Sequence, residues 1–325
     1  MPSEWVERVV RREVKGMSQN RRTTDGSRIV SKSVETGRRN LLRGIGALGL
    51  GSAAIGGVQA RPDHAGSGSA AEPVPISAQF WSFNNADLTT AELIYEMEKA
   101  GYDHFEPFSI DGDSDVDAIT EAIDETGVGM ASAHQGLYDT LDDPEGVAEL
   151  YLQYGEPALI EAYINGDTWS TEESVLELAH DVNTAADEMA DHGLEFGYHN
   201  HDHEFQELED ADEIAYDVFA EAVEDHVHLQ LDVGWVETGG ANPIEYISRY
   251  SDEIDSIHMK NMRDGDFVEI DEGDVNMKAV ANVARATADV EYLVYEYDWA
   301  PEPIESMNIG GEFLGRWNGP PRGRN

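Results

Sequence analysis

The chain has 325 residues, with 66 Asp and Glu against 21 Lys and Arg, a formal net charge of −45 and no cysteine. Its length suffices for one large α/β domain or two ordinary ones, and its apolar content argues against disorder. The lack of cysteine excludes disulfides, a lipid-modified cysteine, thiolate metal sites and a cysteine nucleophile.

The negative charge is concentrated after the first 60 residues. Residues 1–60 carry 11 Lys and Arg against 5 Asp and Glu, whereas the remainder carries 10 against 61, a net charge of −51. Counterions must screen self-repulsion on this scale, which predicts a halophilic protein that works in concentrated salt. An acidic tail for a basic partner is the alternative, but the acids are spread along the chain. No basic stripe is left to bind nucleic acid, so that class of partner is disfavoured.

The N-terminal segment has the pattern of an export signal. Arg38 and Arg39 precede an apolar, glycine-rich run over 45–58, and Val58-Gln59-Ala60 offers small residues for cleavage. The pattern resembles a twin-arginine signal, which implies the twin-arginine translocation machinery as a partner and an extracellular or cell-surface location. The run is too short for a stable membrane span in the mature form, and a retained anchor is the alternative.

The rest of the chain alternates short apolar runs with longer amphipathic ones. We predict a signal region at 1–60, a flexible linker at 61–75 and one folded domain at 76–325. The predicted elements are strand 76–83, helix 89–100, strand 102–108, helix 116–126, strand 128–134, helix 147–154, strand 158–164, helix 171–192, strand 194–200, helix 212–223, strand 227–233, helix 243–250, strand 254–260, helix 277–288 and strand 290–297. Eight strands at this spacing predict an α/β fold, the (β/α)8 TIM barrel, which typically takes roughly 250 residues. A doubly wound sheet is the alternative, but no Gly-x-Gly-x-x-Gly turn supports it.

Residues capable of chemistry gather where these strands end, which is where active sites of barrels lie. They are Glu106, His134, Glu161, His199, His201, Asp232, His258, Lys260, Glu296 and Asp298. Carboxylates alone mean little in so acidic a chain. Lys260 is more informative, because only three lysines follow residue 60. A lysine on an apolar strand needs either an ion-pair partner or a functional role.

Three histidines alternate at the end of the fifth strand. Alternation along a strand sends His199, His201 and His203 to one face, where imidazoles and a nearby carboxylate could meet a divalent metal. A polar loop with solvated histidines is the alternative.

Four segments, in this order, resemble the sugar phosphate isomerase/epimerase family, the xylose isomerase-like TIM barrels. They are Phe196-Gly197-Tyr198-His199-Asn200-His201, Leu231-Asp232-Val233-Gly234-Trp235-Val236, Ile257-His258-Met259-Lys260-Asn261 and Val294-Tyr295-Glu296-Tyr297. The segment at 267–274 is similar to that family's loop after the seventh strand. The resemblance covers roughly 76–317 and is specific for the superfamily, not for a substrate.

The resemblance implies a single divalent metal ion bound by four residues. His199, Asp232, His258 and Glu296 stand at the family's ligand positions, but the family usually has a glutamate where this chain has His199. Two imidazoles with two carboxylates suit Mn²⁺, Co²⁺, Zn²⁺ or Fe²⁺ better than Mg²⁺. The departure leaves the second acid/base of an epimerase unassigned.

The activity implied is that of a sugar or keto-sugar isomerase or epimerase, which abstracts a proton next to a metal-bound carbonyl. The candidate catalytic residues are Glu296, His201, Lys260, Glu106 and His134. Trp81, Tyr198 and Trp235 are expected to stack on a sugar ring, whereas Phe108 is expected in the core. One alternative is a lyase or hydratase that uses the same enediolate on a keto-sugar or keto-glycoside. Another is a secreted carbohydrate-binding barrel without turnover.

Overall fold

The computed structural model describes residues 74–110, 114–287 and 290–317. The predicted signal region and the linker up to residue 73 lie outside these residues. No helix in the described ranges combines the length and the hydropathy needed to cross a membrane.

Strands and helices alternate along the described chain. The strands are β1 (Ile76–Ala78), β2 (His104–Phe105), β3 (Gly129–Met130), β4 (Ser132–His134), β5 (Ala158–Glu161), β6 (Glu195–His199), β7 (His228–Asp232), β8 (Ile254–Arg263), β9 (Asp266–Val268) and β10 (Tyr292–Glu296). The helices are α1 (Thr90–Ala100), α2 (Val116–Thr126), α3 (Leu137–Asp142), α4 (Pro144–Tyr151), α5 (Glu172–Asp191), α6 (Ala215–Ala222), α7 (Val233–Thr238), α8 (Pro243–Arg249), α9 (Met277–Thr287) and α10 (Pro303–Leu314).

The parallel strands close into a ring. The main sheet has the order β1-β10-β8-β7-β6-β5-β4, and β2 pairs with β3. The backbone N–H groups of Asp103 and Glu106 donate to the carbonyls of Ile76 and Ala78 at 3.0 and 2.9 Å, which joins β2 to β1. Since β3 and β4 are separated by one residue, they occupy one strand position. The predicted TIM barrel is confirmed, and the carboxyl ends of its strands share one face.

Helix α5 shows how the outer layer forms. Thr171 precedes it, and its hydroxyl accepts a hydrogen bond from the Ser174 backbone N–H at 3.3 Å. This cap explains why the helix starts where the sequence predicts. Its buried face has helical spacing and consists of Val175, Leu178, Ala179, Val182, Ala185, Ala186 and Met189. Burial of that face holds the helix on the barrel.

Several predicted elements have different bounds; the strands predicted at 102–108 and 158–164 are shorter, at His104–Phe105 and Ala158–Glu161, and the helix predicted at 212–223 is Ala215–Ala222. The first strand stops at Ala78 because the side chain of Gln79 caps a 3₁₀ helix at Phe80–Phe83. The predicted helix 147–154 is wrong at both ends, since α4 starts at Pro144 and residues 152–154 form a 3₁₀ turn. Strand β8 continues past Lys260 into a hairpin with β9. Its turn residues Asp264 and Gly265 both have positive φ, which an Asp-Gly pair accommodates.

Gly197 is required where β6 packs against β7. A Cβ atom there would lie 1.8 Å from the carbonyl oxygen of His228, which is backbone and cannot move aside. We expect Gly197→Ala to lower the free energy of unfolding by about 3 kcal/mol or more. Gly166→Ala is the control, because its Cβ would meet no atom nearer than 3.8 Å. Denaturant unfolding in molar KCl, followed by circular dichroism, measures both, and equal stabilities would contradict this packing.

Candidate functional site

Four side chains from four adjacent strands meet at the carboxyl face of the barrel. His199, Asp232, His258 and Glu296 lie on β6, β7, β8 and β10 and are at most 4% exposed. One ligand atom of each lies within 4.8 Å of the others. In-register pairing of Asp232 with His258 places these ends side by side. We call these residues the four-residue cluster.

The two oxygens of Asp232 have different surroundings. Its Oδ1 accepts the backbone N–H groups of Gly234 at 2.8 Å and Trp235 at 3.0 Å, which caps α7. Its Oδ2 is buried without a hydrogen-bond partner, although the Lys260 ammonium lies 3.1 Å away as an ion pair. A buried, unsatisfied oxygen that faces two imidazoles and another carboxylate matches the donor set of a divalent transition-metal ion. The cluster therefore fits such an ion.

Partners on their far nitrogens orient both histidines of the cluster. The Nδ1 of His199 lies 2.9 Å from Gln230 Oε1, and the Nε2 of His258 lies 2.9 Å from Glu106 Oε1. When these nitrogens carry the proton and donate it, His199 Nε2 is left as an acceptor facing the cluster. His258 Nδ1 lies 2.6 Å from Glu296 Oε2, a contact that needs a proton between the two atoms, so a metal ion bound there would replace that proton. Such contacts fix the tautomer and the orientation of metal-binding histidines.

Glu106 is fully buried and gathers the interior polar side chains around its carboxylate. Its partners are Gln79 at 2.6 Å, Gln230 at 2.7 Å, His258 at 2.9 Å, His134 at 3.2 Å and the hydroxyl of Ser132. Burial would raise the pKa of Glu106, but the imidazoles of His258 and His134 hold it well below its usual range. Five partners occupy the roughly four lone-pair positions of a carboxylate. Its oxygens therefore anchor other site residues, and the catalytic role of Glu106 stays a prediction.

Two buried cationic groups balance the carboxylates. Burial alone lowers the pKa of His258, but Glu106 and Glu296 outweigh it and raise this pKa to about 10. Burial likewise lowers the pKa of Lys260, and Asp232, Asp298 and Glu296 raise it above its ordinary value. Positive charge therefore accumulates at the place where a divalent cation would be bound.

Lys260 stands at the centre of an ion-pair network. Its Nζ lies 3.1 Å from both Asp232 Oδ2 and Glu296 Oε2, and 3.2 Å from Asp298 Oδ2. The ammonium also lies 4.9 Å from the ring centroid of Trp235. These distances show that Lys260 forms ion pairs with Asp232 and Glu296. The ammonium therefore lies beside the four-residue cluster.

His201 follows β6 and lies beside the cluster. Its ring centroid is 5.3 Å from that of His199 and 5.2 Å from that of Trp235. Burial, with nearby positive charges, lowers the pKa of His201 well below its usual value, and its buried Nδ1 has no hydrogen-bond partner. Glu204 fixes this loop by accepting the His201 backbone N–H at 3.0 Å and the Tyr198 hydroxyl at 2.8 Å.

The other two site histidines differ from His201. His203 points away, because its Nε2 lies 2.8 Å from the carbonyl of Ile164. His134 lies over the cluster with its ring centroid 6.0 Å from that of His258, and its side chain is 11% exposed. His134 therefore lies at the site, as the sequence predicts. The three alternating histidines do not together form a metal site, because His203 points away from the cluster.

Two aromatic assignments need correction. Tyr198 is 1% exposed and its ring packs 5.3 Å from Trp169 and 5.0 Å from Phe219. Alternation along β6 turns it away from His199 toward the helices, so it is not a sugar contact. Phe108, expected in the core, is 42% exposed.

The remaining two aromatic candidates lie near the cluster. Trp81 is partly buried, with its ring 5.1 Å from Phe108. Trp235 is 8% exposed and forms a side wall next to Lys260 and His201. Both positions remain compatible with ligand contact.

The amides that orient the site were missed by sequence reasoning. Gln79 and Gln230 bridge histidines and Glu106, and Ser132 also contacts Glu106. Two of these residues could have been found from the alternation of side chains along a strand. Gln230 lies two residues before Asp232 and Ser132 lies two residues before His134, so each shares a face with a predicted site residue.

Solved structures with this fold include enzymes and metal-binding proteins. A sugar phosphate isomerase/epimerase from Parabacteroides distasonis is 17% identical, with a TM-score of 0.64 over 77% of this chain and 96% of that one. The probable 3-DHS dehydratase AsbF from Bacillus anthracis is 12% identical, with a TM-score of 0.59 over 74% and 99%. The IOLI protein, solved with a bound zinc atom, is 16% identical, with a TM-score of 0.58 over 76% and 99%. At these identities the likeness shows the fold alone.

The family assignment rests on the sequence match. No curated protein sequence matches this chain. The xylose isomerase-like TIM barrel description matches residues 94–314, which is more than half of the chain. The match spans the cluster and all but the first strand of the barrel, and on this ground the chain belongs to the xylose isomerase-like TIM barrel family.

Proposed function

We propose that the chain is a divalent-metal-dependent isomerase or epimerase that acts on a sugar or keto-sugar by removing a proton next to a carbonyl. The observation that carries this proposal is the four-residue cluster, flanked by the neutral imidazole of His201 and the buried ammonium of Lys260. The fold is shared with a sugar phosphate isomerase/epimerase and a probable dehydratase, which supports chemistry of this kind.

The four-residue cluster would hold the metal through His199, Asp232, His258 and Glu296. Mn²⁺, Co²⁺, Zn²⁺ and Fe²⁺ are the candidates, because two of the four donors are imidazole nitrogens. When bound, the ion would supply Lewis acidity toward a substrate carbonyl and a neighbouring hydroxyl. Glu106 and Gln230 keep the histidine rings in the orientation that this requires.

Two groups would exchange a proton on opposite sides of a substrate. His201 follows β6 and Glu296 ends β10, and β7 and β8 lie between these strands in the sheet. Because the pKa of His201 is lowered, its imidazole is neutral at pH 7 and can accept a proton. His201 would thus take the part of the glutamate that His199 replaces, with Glu296 as the second acid/base.

Lys260 is suited to hold a substrate oxygen, not to give up its proton. Its raised pKa keeps the ammonium charged, and a general acid works best with a pKa near the working pH. Asp298 also pairs with the ammonium, with Oδ2 3.2 Å from Nζ. A developing negative charge on a substrate oxygen would be stabilised there.

Unsatisfied polar atoms around the cluster favour a polyhydroxyl ligand. The buried atoms without a hydrogen-bond partner include His201 Nδ1 and Trp235 Nε1. Buried polar atoms normally have partners, and hydroxyl groups can both donate and accept. A sugar supplies several hydroxyls at once.

A lyase or dehydratase acting on a keto-sugar or keto-glycoside is the second candidate. The observation that favours it is His199, which replaces the glutamate that the epimerases use as one of two bases. A carbanion formed next to the carbonyl could then expel a neighbouring hydroxyl or aglycone instead of regaining its proton. A secreted carbohydrate-binding barrel without turnover is the third.

Solvent exchange tests the proposed reaction. Free ketoses, keto-inositols and 3-keto-glycosides are incubated with Mn²⁺-loaded protein in deuterated molar KCl and followed by NMR. We expect deuterium at the carbon next to the carbonyl of at least one, and a loss of about 100-fold or more in His201→Asn. His203→Asn is the control, because His203 contacts the backbone of Ile164. Elimination of water or an aglycone would indicate the lyase, and binding without exchange would indicate the carbohydrate-binding barrel.

Glu106→Gln tests the anchoring of the metal ligands. The wild type is expected to bind one equivalent of Mn²⁺ or Zn²⁺, and the variant to bind it about 10- to 100-fold more weakly, because His258 loses its carboxylate partner. Chelator competition measures the affinity. Glu161→Gln is the control, since this buried carboxylate accepts the backbone N–H groups of Leu137 and Tyr163. Equal affinities in the two variants would contradict the role of Glu106.

We also propose export through the twin-arginine pathway to the cell surface or the medium, on the support of residues 37–60 alone. Replacement of Arg38 and Arg39 by lysine is expected to retain the protein inside the cell, as measured by fractionation of a haloarchaeal host. Arg43→Lys is the control, because it lies outside the arginine pair. Undiminished export of the double variant would rule out this pathway.

A further inference from the structure

Three aromatic side chains stand together after the carboxyl ends of β1, β2 and β10. The rings of Trp81 and Phe108 are 5.1 Å apart, and those of Trp81 and Trp299 are 4.9 Å apart, both edge to face. Phe108 is 42% exposed, and the other two are partly buried. We call these three residues the aromatic rim.

The rim adjoins the site through the chain itself. Trp81 follows Gln79 by two residues, Phe108 follows Glu106 by two, and Trp299 comes directly after Asp298. Gln79 contacts Glu106, and Asp298 contacts Lys260. Three neighbouring strand ends thus each contribute a polar group to the site and an aromatic ring next to it.

Trp299 adopts a backbone conformation that a tryptophan rarely takes. Its φ is +60°, in the left-handed region that favours glycine. Hydrogen bonds hold the chain on both sides, from the Tyr297 backbone N–H to Ser82 Oγ at 2.9 Å and from Asn85 Nδ2 to the Ala300 carbonyl at 2.9 Å. Strain of this kind persists where the surroundings enforce it, and it is commonly found at ligand sites.

A polar acceptor lies next to the rim. Asp298 is 7% exposed, and its Oδ1 is buried without a hydrogen-bond partner, while its Oδ2 pairs with Lys260. A carboxylate oxygen that lacks a donor beside aromatic surface matches the two needs of a sugar ring. Hydroxyls require acceptors, and the C–H face of a pyranose packs on aromatic rings.

We propose that the aromatic rim and Asp298 form a subsite for a second pyranose ring. The substrate would then be a two-ring glycoside, with its keto-sugar at the four-residue cluster and its other sugar on the rim. This inference rests on the proposed function, whose site supplies the first ring.

Binding of sugars without a keto group tests the subsite apart from the reaction. Glucose, maltose, cellobiose, trehalose and phenyl glucoside are titrated into Mn²⁺-loaded protein in molar KCl, with ligand NMR as the readout. We expect at least one disaccharide to bind about tenfold more tightly than glucose, as stacking of one ring provides. Trp299→Gly keeps the φ value accessible while it removes the ring, and it should abolish this preference without changing glucose affinity or metal stoichiometry. Tyr138→Ala is the control, since Tyr138 is 55% exposed and is not part of the rim.

Three results would overturn the inference. The first is that the wild type binds glucose and all the disaccharides with equal affinity, and the second is that the preference for a disaccharide survives in Trp299→Gly. The third is that phenyl glucoside binds more tightly than every disaccharide, which would assign the rim to an aromatic aglycone. The proposed function fails separately, by an absence of deuterium exchange in every ketose. A disaccharide preference without exchange would keep the subsite and reject the isomerase.

Discussion

The structure of the site depends on one buried carboxylate, that of Glu106. An anion with no exposed surface is tolerated only when donors surround it, and Gln79, Ser132, Gln230 and His258 supply them from distant parts of the chain. Because Gln230 also contacts His199, both histidines of the cluster are positioned from this single carboxylate. The polar interior is therefore a connected network, in which each partner limits the freedom of the next.

Charge balance explains why the cluster combines acids with basic groups. Asp232, Glu296 and Asp298 converge on Lys260, and His258 lies between Glu106 and Glu296. These carboxylates could not be buried together without nearby positive charge, because mutual repulsion and desolvation both oppose it. Repulsion between carboxylates also has to be reduced outside the site. Acidic residues far outnumber basic ones, and concentrated counterions would do there what Lys260 and His258 do inside.

The barrel fold determines where the site lies, and the side chains at the carboxyl ends of its strands determine which reaction can take place there. Relatives of the same fold include an isomerase/epimerase and a probable dehydratase, so the architecture alone does not separate proton return from elimination. Under the proposed function, the distinction would depend on His199, His201 and Lys260. His199 contacts Gln230 and Asp232, and His201 lies beside it with a lowered pKa. The length of the substrate is a separate matter, which we propose the aromatic rim around Trp299 to govern.

The sequence by itself determined the eight-strand alternation of the barrel, the family, and the positions of His199, Asp232, His258 and Glu296, but it missed helices α3, α7 and α10 and strand β9. Hydrophobic periodicity and motifs at strand ends are local signals, and parallel strands place their carboxyl ends on one face. Only the tertiary structure decided which groups contact these residues. Gln230 and Glu106 are 124 residues apart, and their hydrogen bond exists because the closed barrel brings their strands around one interior. The outward turn of Tyr198, the exposure of Phe108 and the left-handed Trp299 likewise depend on strand bounds and loop contacts, which no local pattern encodes.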